Sequence, residues 1–352
     1  MPSRTPGRRD VGRYREGVTH AAHSQEPEGT PCLSVVLVSW NCRGALARCI
    51  ESLIKYTVGV DFEIVVVDNA SSDGTVEYLR RSWPDVRVLV NDANVGFAKG
   101  CNQGMAVTRG ELVLLLNSDT YVEDNVIGRA VAALRERPEI GMLGCRLTFP
   151  DGRLQHTANR ALTIRRTLLE RLWLYKLVPR ARRARLLLGG YWDHDEEAEV
   201  DWLAGAFMLI RRSICKATGG FDERFWMYGE DSEWCMRLRR LGHRILFTPE
   251  PGTVVHSGSV SSDVVWTEKE RLRRCHQGGI ESYAALNGEL LAACYRLAEL
   301  IGSVARVLAY SAANAVRPRR YYAQQARFYR WLIEFYARPS RPIEPSRTTE
   351  PG

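Results

Sequence analysis

The chain has 352 residues, 45% of them hydrophobic, and a formal net charge of +8 from 49 basic and 41 acidic side chains. That is room for two domains of ~150 residues or one large α/β domain with appendages, and it excludes wholesale disorder. Zinc knuckles of the common kinds are excluded too, because the nine cysteines form no CxxC pair; an odd number of unpaired thiols fits a reduced, cytoplasmic protein.

No run of about 18 uncharged apolar residues occurs, so no conventional membrane span is expected. No secretory signal is expected either, because the first stretch has no apolar segment. Most basic residues are arginine. A basic surface suits nucleic acid, anionic lipid or phosphorylated substrates, and a biased genome composition gives the same excess. The motifs have to choose.

Residues 1–30 are rich in Arg, Gly, Pro, Ser and Glu and are read as a disordered basic tail. Order begins at Leu33, where Leu33 to Ser39 forms a short β-branched run typical of a buried strand. Ala45 to Lys55 carries Leu46, Ile50, Leu53 and Ile54 at helical spacing. Phe62 to Val67 is a second buried strand ending at Asp68-Asn69, and Ser71 to Thr75 is cap chemistry for a helix from Val76 to Trp83. Val86 to Val90 is a third strand. Ala98 to Thr108 is a helix, and Leu112 to Leu116 is a fourth strand ending at Asn117-Ser118-Asp119.

This alternation predicts a mostly parallel sheet with covering helices, and ligands in such sheets sit beyond the carboxyl ends of the strands. Three polar clusters follow three strands, as that rule requires. GxGxxG is missing after the first strand, which counts against a dinucleotide dehydrogenase. Val126 to Glu136 reads as a helix and Ile140 to Thr148 as one strand. Residues 160–200 read as an insertion over the site, with arginine-rich helices at Arg165 to Tyr175 and Arg180 to Leu188 and an acidic loop. A helix from Ser232 to Leu241 and strands at Arg244 to Thr248 and Thr253 to His256 close the α/β domain, taken as 31–265. Residues 266–340 form a helical extension, with helices at Leu290 to Val316 and Tyr321 to Arg338, and 341–352 a disordered tail.

Asp119 stands at a strand end, where a carboxylate can hold a hard cation such as Mg²⁺ or Mn²⁺, with Asn117 on the same side. It could equally cap the next helix. Asp68 ends a buried strand and could accept a hydrogen bond from a nucleobase imide, whereas Asp73 reads as a turn and cap residue. The glycine-punctuated stretch from Asn94 through Gly96 and Phe97 to Asn102 would let a sugar or phosphate approach the backbone. Glu230-Asp231 opens a helix after an aromatic run. The helix dipole alone favours acids there, and one of the two could act as a general base toward a hydroxyl. A lone histidine such as His256 is usually structural, but with Asp119 it could supply a second metal ligand.

Together these blocks resemble a family 2 glycosyltransferase of the GT-A fold, a Rossmann-like, mostly parallel sheet flanked by helices. The likeness is greatest to the rhamnosyltransferase-like branch that builds bacterial cell-surface polysaccharides. It runs from about Leu33 to about Ser262, through Val36 to Asn41, Val67 to Thr75, Asn94 to Ala98, Leu116 to Thr120, Gly219 to Phe225, Gly229 to Trp234 and Val255-His256.

The resemblance implies that Ser39, Asn41, Asp68 and Asn69 hold the base and ribose of a nucleotide sugar. Gly96, Phe97 and Asn102 match the second nucleotide loop. Asn117-Ser118-Asp119 occupies the DxD position, with Asn in place of the first Asp, so that Asp119 carries most of the contact to Mg²⁺ or Mn²⁺. His256 completes the metal site. Asp231 is the base, with Glu230 beside it, and Trp202, Gly205 and Trp226 line the acceptor side. The implied activity is inverting transfer of a sugar, rhamnose from dTDP-rhamnose as first choice, to a glycan or polyprenyl-diphosphate-linked acceptor. The implied place is the inner face of the cell membrane, with no nucleic-acid partner. The C-terminal helices would meet that membrane, pack on the core or form a homodimer contact. A nucleotidyltransferase and a catalytically weak sugar-nucleotide-binding assembly subunit are the competing readings.

Overall fold

The computed structural model describes residues 31–258 and 266–338; the two tails read from the sequence, 1–30 and 341–352, lie outside the described residues. The first half alternates as expected: β1 (Leu33–Ser39), α1 (Arg43–Tyr56), β2 (Phe62–Asp68), α2 (Thr75–Ser82), β3 (Arg87–Val90), α3 (Phe97–Ala106) and β4 (Leu112–Asn117). β1 pairs in parallel with both β2 and β4, and β2 with β3. Val35, Val36 and Leu37 of β1, Val65, Val66 and Val67 of β2 and Val113, Leu114 and Leu115 of β4 are all buried, because helices cover both faces of the sheet. At the end of each of these strands the sequence turns polar, and that confines the hydrophilic groups to one rim.

The next elements are β5 (Thr120–Tyr121), α4 (Val126–Arg135), β6 (Ile140–Gly144), β7 (Arg146–Thr148), β8 (Leu154–Gln155) and β9 (Ala158–Asn159). The single strand expected over Ile140 to Thr148 is two. It breaks at the buried Cys145, so that β6 joins the main sheet and β7 a second one. The stretch expected as insertion helices forms α5 (Ile164–Arg171), a 3₁₀ turn at Leu174–Leu177 and α6 (Arg180–Leu187). The first of these stops short of Tyr175, where Trp173 adopts a left-handed conformation, φ +57°, that a continuing helix cannot accommodate.

The α/β part ends with β10 (Ala198–Glu199), β11 (Trp202–Leu203), β12 (Phe207–Arg211), α7 (Arg212–Thr218), α8 (Glu230–Arg240), β13 (Arg244–Phe247) and β14 (Thr253–His256). The main sheet has eight strands in the order β10-β13-β6-β12-β4-β1-β2-β3, and it is parallel except where β12 and β10 run against their neighbours. A four-stranded sheet, β5-β14-β7-β8, stands beside it.

Two antiparallel pairings position the site. β12 runs against β4 with Phe207 opposite Leu116, so the loop preceding β12 lies beside the end of β4. β14 runs against β5 with His256 opposite Thr120, so the end of β14 lies beside Asp119.

Three helices follow: α9 (Glu268–Asn287), α10 (Glu289–Val316) and α11 (Arg320–Ala337). α9 starts with a capping box between Thr267 and Glu270. It crosses the segment before α8 backbone to backbone: a Cβ on Gly278 would lie 2.2 Å from the Tyr228 carbonyl oxygen, and one on Gly229, at φ +102°, would lie 2.6 Å from the Gly278 oxygen. Only glycine fits either position. α10 is tied to α5 by polar groups. Arg171 donates to both carboxylate oxygens of the buried Glu299, at 2.7 and 3.2 Å, and Arg306 donates to the carbonyls of Glu170 and Arg171, each at 2.6 Å.

Candidate active site

A cavity of about 340 Å³ opens over the carboxyl ends of β1 and β4. Its wall includes Ser39, Asn69, Gly96, Phe97, Asn117, Ser118 and Asp119 together with Trp202, Gly205, Trp226, Glu230, Asp231 and His256. The three side chains on which the sequence reading depends, Asp119, Asp231 and His256, therefore share one wall. Asn41, Asp68 and Asn102 do not line it.

The loop after β1 is knitted to the loop after β2. Asn41, at φ +47°, accepts hydrogen bonds from the Ser72 amide and hydroxyl through Oδ1, and its own amide donates to Ser71 Oγ. Asp68 is fully buried. Its Oδ2 accepts from the Ser71 amide at 2.8 Å, while Oδ1 has no partner. Burial pushes its carboxyl up from the ordinary range, against the hydrogen bond from Ser71. Asn69 is spent on structure: it donates to the Gly96 carbonyl and accepts from Asn91.

Asn102, expected in the second nucleotide loop, is engaged by its own chain. Its amide accepts from the Phe221 amide and donates to the Phe221 carbonyl and Glu223, so it clamps the 221–229 loop rather than facing the cavity. Gly96 has a steric reason to be glycine. At φ +90°, a Cβ there would meet the Trp226 carbonyl at 2.5 Å, and that carbonyl accepts from the Phe97 amide at the start of α3.

Asp119 Oδ1 lies 3.2 Å from His256 Nε2. His256 Nδ1 lies 2.8 Å from Gln155 Oε1, and Gln155 Nε2 donates to the His256 carbonyl at 2.7 Å. Donation from Nδ1 to this amide oxygen leaves the Nε2 lone pair directed toward Asp119 and Asn117, whose Nδ2 is 3.1 Å away. Two donor atoms about 3 Å apart match adjacent corners of an octahedron with bonds of about 2.1 Å, so the pair fits a hard divalent cation. Gln155 is the kind of outer partner that orients a ligating histidine. It was not singled out from the sequence, and a lone Gln at the end of a two-residue strand carries no signal of its own. Among the described residues no group of three or more His, Cys, Asp and Glu side chains could hold a metal by itself, so such an ion would complete its shell with water or a bound anion.

Asp231 Oδ2 accepts from the Gly205 amide at 3.2 Å and Oδ1 from the Ser232 amide at 2.7 Å. Burial raises its pKa, and these backbone donors oppose the rise. Glu230 is more deeply buried, with Oε2 unpartnered. Burial first, and then the charge of Asp231, hold its carboxyl well above the ordinary range. The indole nitrogens of Trp226 and Trp266, both in the cavity wall, are also buried without partners. Trp266 comes from the C-terminal extension, and the Arg274 guanidinium stacks on its ring at 4.2 Å. An aromatic residue just ahead of a helix was the only trace of it in the sequence.

Such a pocket can hold a polar ligand against aromatic rings, with a cation-competent pair and a perturbed carboxylate in its wall. The sequence model for "Glycosyl transferase family 2" matches residues 34–243, more than half of the chain. The protein belongs to that family, and its fold is GT-A. Among its relatives, the O-antigen biosynthesis protein RfbC of Myxococcus xanthus is 29% identical over 67% of this chain, but the match spans only 18% of that protein's length. The N-acetylglucosaminyl-diphospho-decaprenol L-rhamnosyltransferase of Mycobacterium tuberculosis is 29% identical over 64% of this chain and 76% of its own. In structure, the chain resembles the mannosyltransferase PcManGT of Pyrobaculum calidifontis, solved with GDP-mannose and Mn²⁺, with a TM-score of 0.51 and 17% identity, over 89% of this chain and 87% of that one.

Proposed function

We propose that this protein transfers a sugar from a nucleoside diphosphate donor to a hydroxyl acceptor with inversion at the anomeric carbon. The observation that carries this reading is the convergence of Asp119, His256 and Asp231 on one cavity at the strand ends of a family 2 fold. Asp119 and His256 would hold Mg²⁺ or Mn²⁺. Such an ion, when bound, stabilises the charge that develops on a departing diphosphate. Asp231 takes the proton of the attacking hydroxyl, and burial, by raising its pKa, makes it a stronger base than an exposed aspartate. The Gly205 and Ser232 amides fix its carboxylate for that transfer.

A dTDP- or UDP-sugar, dTDP-rhamnose first, is the donor proposed, by analogy with the mycobacterial relative. A thermal-shift screen of sugar nucleotides with and without Mn²⁺ tests it. A ligand at 100 times its Kd raises stability by about 2.7 kcal/mol, and the shift should require the cation. A flat response to every sugar nucleotide would overturn the proposal.

A lipid-linked acceptor and a peripheral position on a membrane belong to the same reading. No helix among the described residues is long and apolar enough to cross a membrane. α10 instead turns Leu290, Leu297, Ile301, Val304 and Leu308 outward, while Glu299 and Arg306 point inward. Beside this face, Arg327 and Arg330 of α11 line a recess of about 230 Å³ with Ser311 and Asn314. An apolar face fringed by arginine matches an anionic bilayer surface. Flotation with anionic but not neutral vesicles is expected; sedimentation as a dimer with no flotation would favour a homodimer through the same face.

A further inference from the structure

Asp231 stands in the wall of a second cavity as well. This one is also about 340 Å³, and it shares Trp202, Tyr228 and Asp231 with the first. Most of its remaining wall comes from α5 and from the three C-terminal helices, and those three helices lie beyond the segment matched by the family.

We infer that this second chamber is the acceptor site and that it admits an uncharged, hydroxyl-bearing ring. The inference rests on the transferase reading above. A base common to two chambers can serve a donor in one and a nucleophile in the other. The acceptor oxygen attacks the anomeric carbon, the bond from that carbon to the diphosphate breaks, and the hydroxyl proton passes to Asp231.

The chemistry of the wall selects the ring. Each of its two arginines already faces a carboxylate in the same wall: Arg166 is 2.6 Å from Glu170, and Arg171 is 2.7 Å from Glu299. His276 Nδ1 is bonded to Tyr336 Oη at 2.8 Å. Burial holds the imidazole down at about 4, so it is neutral at physiological pH. A diphosphate would therefore find no uncompensated cation here, and any charged or lipid portion of an acceptor must lie outside. Tyrosine rings and paired polar groups supply what a neutral sugar uses, a flat apolar face and directional hydrogen bonds.

Gly279 of α9 gives the test. It lines the chamber, and a Cβ there would meet only Leu162 Cδ1, at 3.4 Å. Gly279→Leu therefore fills the chamber without moving backbone and removes a glycine from a helix interior. The full-length chain is assayed with UDP- and dTDP-sugars, Mn²⁺ and simple alkyl and aryl hexosides as acceptor probes at up to about 100 mM. Gly279→Leu should lower kcat/KM for the hexoside by about tenfold or more, and Gly279→Ala by less, while the nucleotide Kd stays within about twofold of wild type. Unchanged transfer in Gly279→Leu overturns the inference. So does a wild-type protein that binds sugar nucleotide yet transfers to no hexoside. A wild type that binds no sugar nucleotide instead overturns the transferase reading, and the nucleotide titration separates that failure from the other two.

Discussion

The α/β domain and the C-terminal helices place their charges in opposite ways. In β1, β2 and β4 the buried positions are aliphatic apart from Ser34 and the strand-end residues, and the acids Asp68 and Asp119 wait at the strand ends. In α10 the buried face holds Glu299 and Arg306, while Leu297 and Leu308 face outward. The first arrangement creates a polar rim above an apolar sheet, which is what a site for a charged ligand needs. The second fixes the register of the helical extension against α5 through directional contacts. A buried pair of this kind contributes little net stability against an apolar replacement, yet it is costly to break.

The largest expected effect is on chemistry at the rim. Asp231→Asn should lower transfer by 10²–10⁴-fold, the usual range for losing a general base, with nucleotide affinity unchanged. The pH profile sharpens this. Only the deprotonated carboxylate accepts a proton, so the rate falls as pH drops through the Asp231 pKa. Burial raises that pKa, so the acid limb of kcat/KM should lie above the ordinary aspartate range near 4. The limb should vanish in whatever activity Asp231→Asn retains. Wild-type turnover in that variant would break the comparison at its catalytic end.

Next in size is the inverted helix. Glu299→Ala leaves Arg171 buried without its carboxylate and should destabilise the chain by about 3–5 kcal/mol, read by denaturant titration. Glu299→Gln keeps the shape and should cost less. A loss no greater than that of an exposed substitution would mean that the pair does not hold the extension in place.

Gln155→Leu comes third. It removes the partner that orients His256, and outer partners of ligating histidines contribute 10–100-fold in metal affinity, so the Mn²⁺ concentration for half-maximal activity should rise by about that factor. Chelation should abolish activity in both proteins, with Mn²⁺ restoring it.

The unequal legibility of the two regions has the same physical origin as their difference in charge. Strands buried on both faces read as unbroken aliphatic runs, and the polar residues after them mark the rim, so β1, β2 and β4 and the family resemblance were visible in the sequence. The meeting of Asp119 with His256, and of Gly205 with Asp231, depends on the antiparallel pairings β5–β14 and β12–β4. Two-residue strands and a bulky loop leave no periodic trace, so those contacts became visible only in three dimensions. The partners of Asn102 were illegible for a related reason: an amide in a glycine-rich loop looks the same whether it meets a ligand or a neighbouring backbone. In α10 the apolar spacing revealed the helix but not which face turns inward, because Glu299 and Arg306 are buried by partners in α5 that lie far away in sequence.

The smallest expected effect bears directly on that inversion. Leu297→Ser with Leu308→Ser changes two outward positions, 56% and 66% exposed. Ordinary surface substitutions stay within about ±0.5 kcal/mol, so Tm should barely move. If the face meets a bilayer, the double variant should lose flotation with anionic vesicles while keeping transfer to a soluble hexoside. If it meets a second copy, sedimentation should shift toward monomer instead. A large drop in Tm would mean that these leucines are buried in the working protein by something more permanent than either, and that the inverted helix is half of a core.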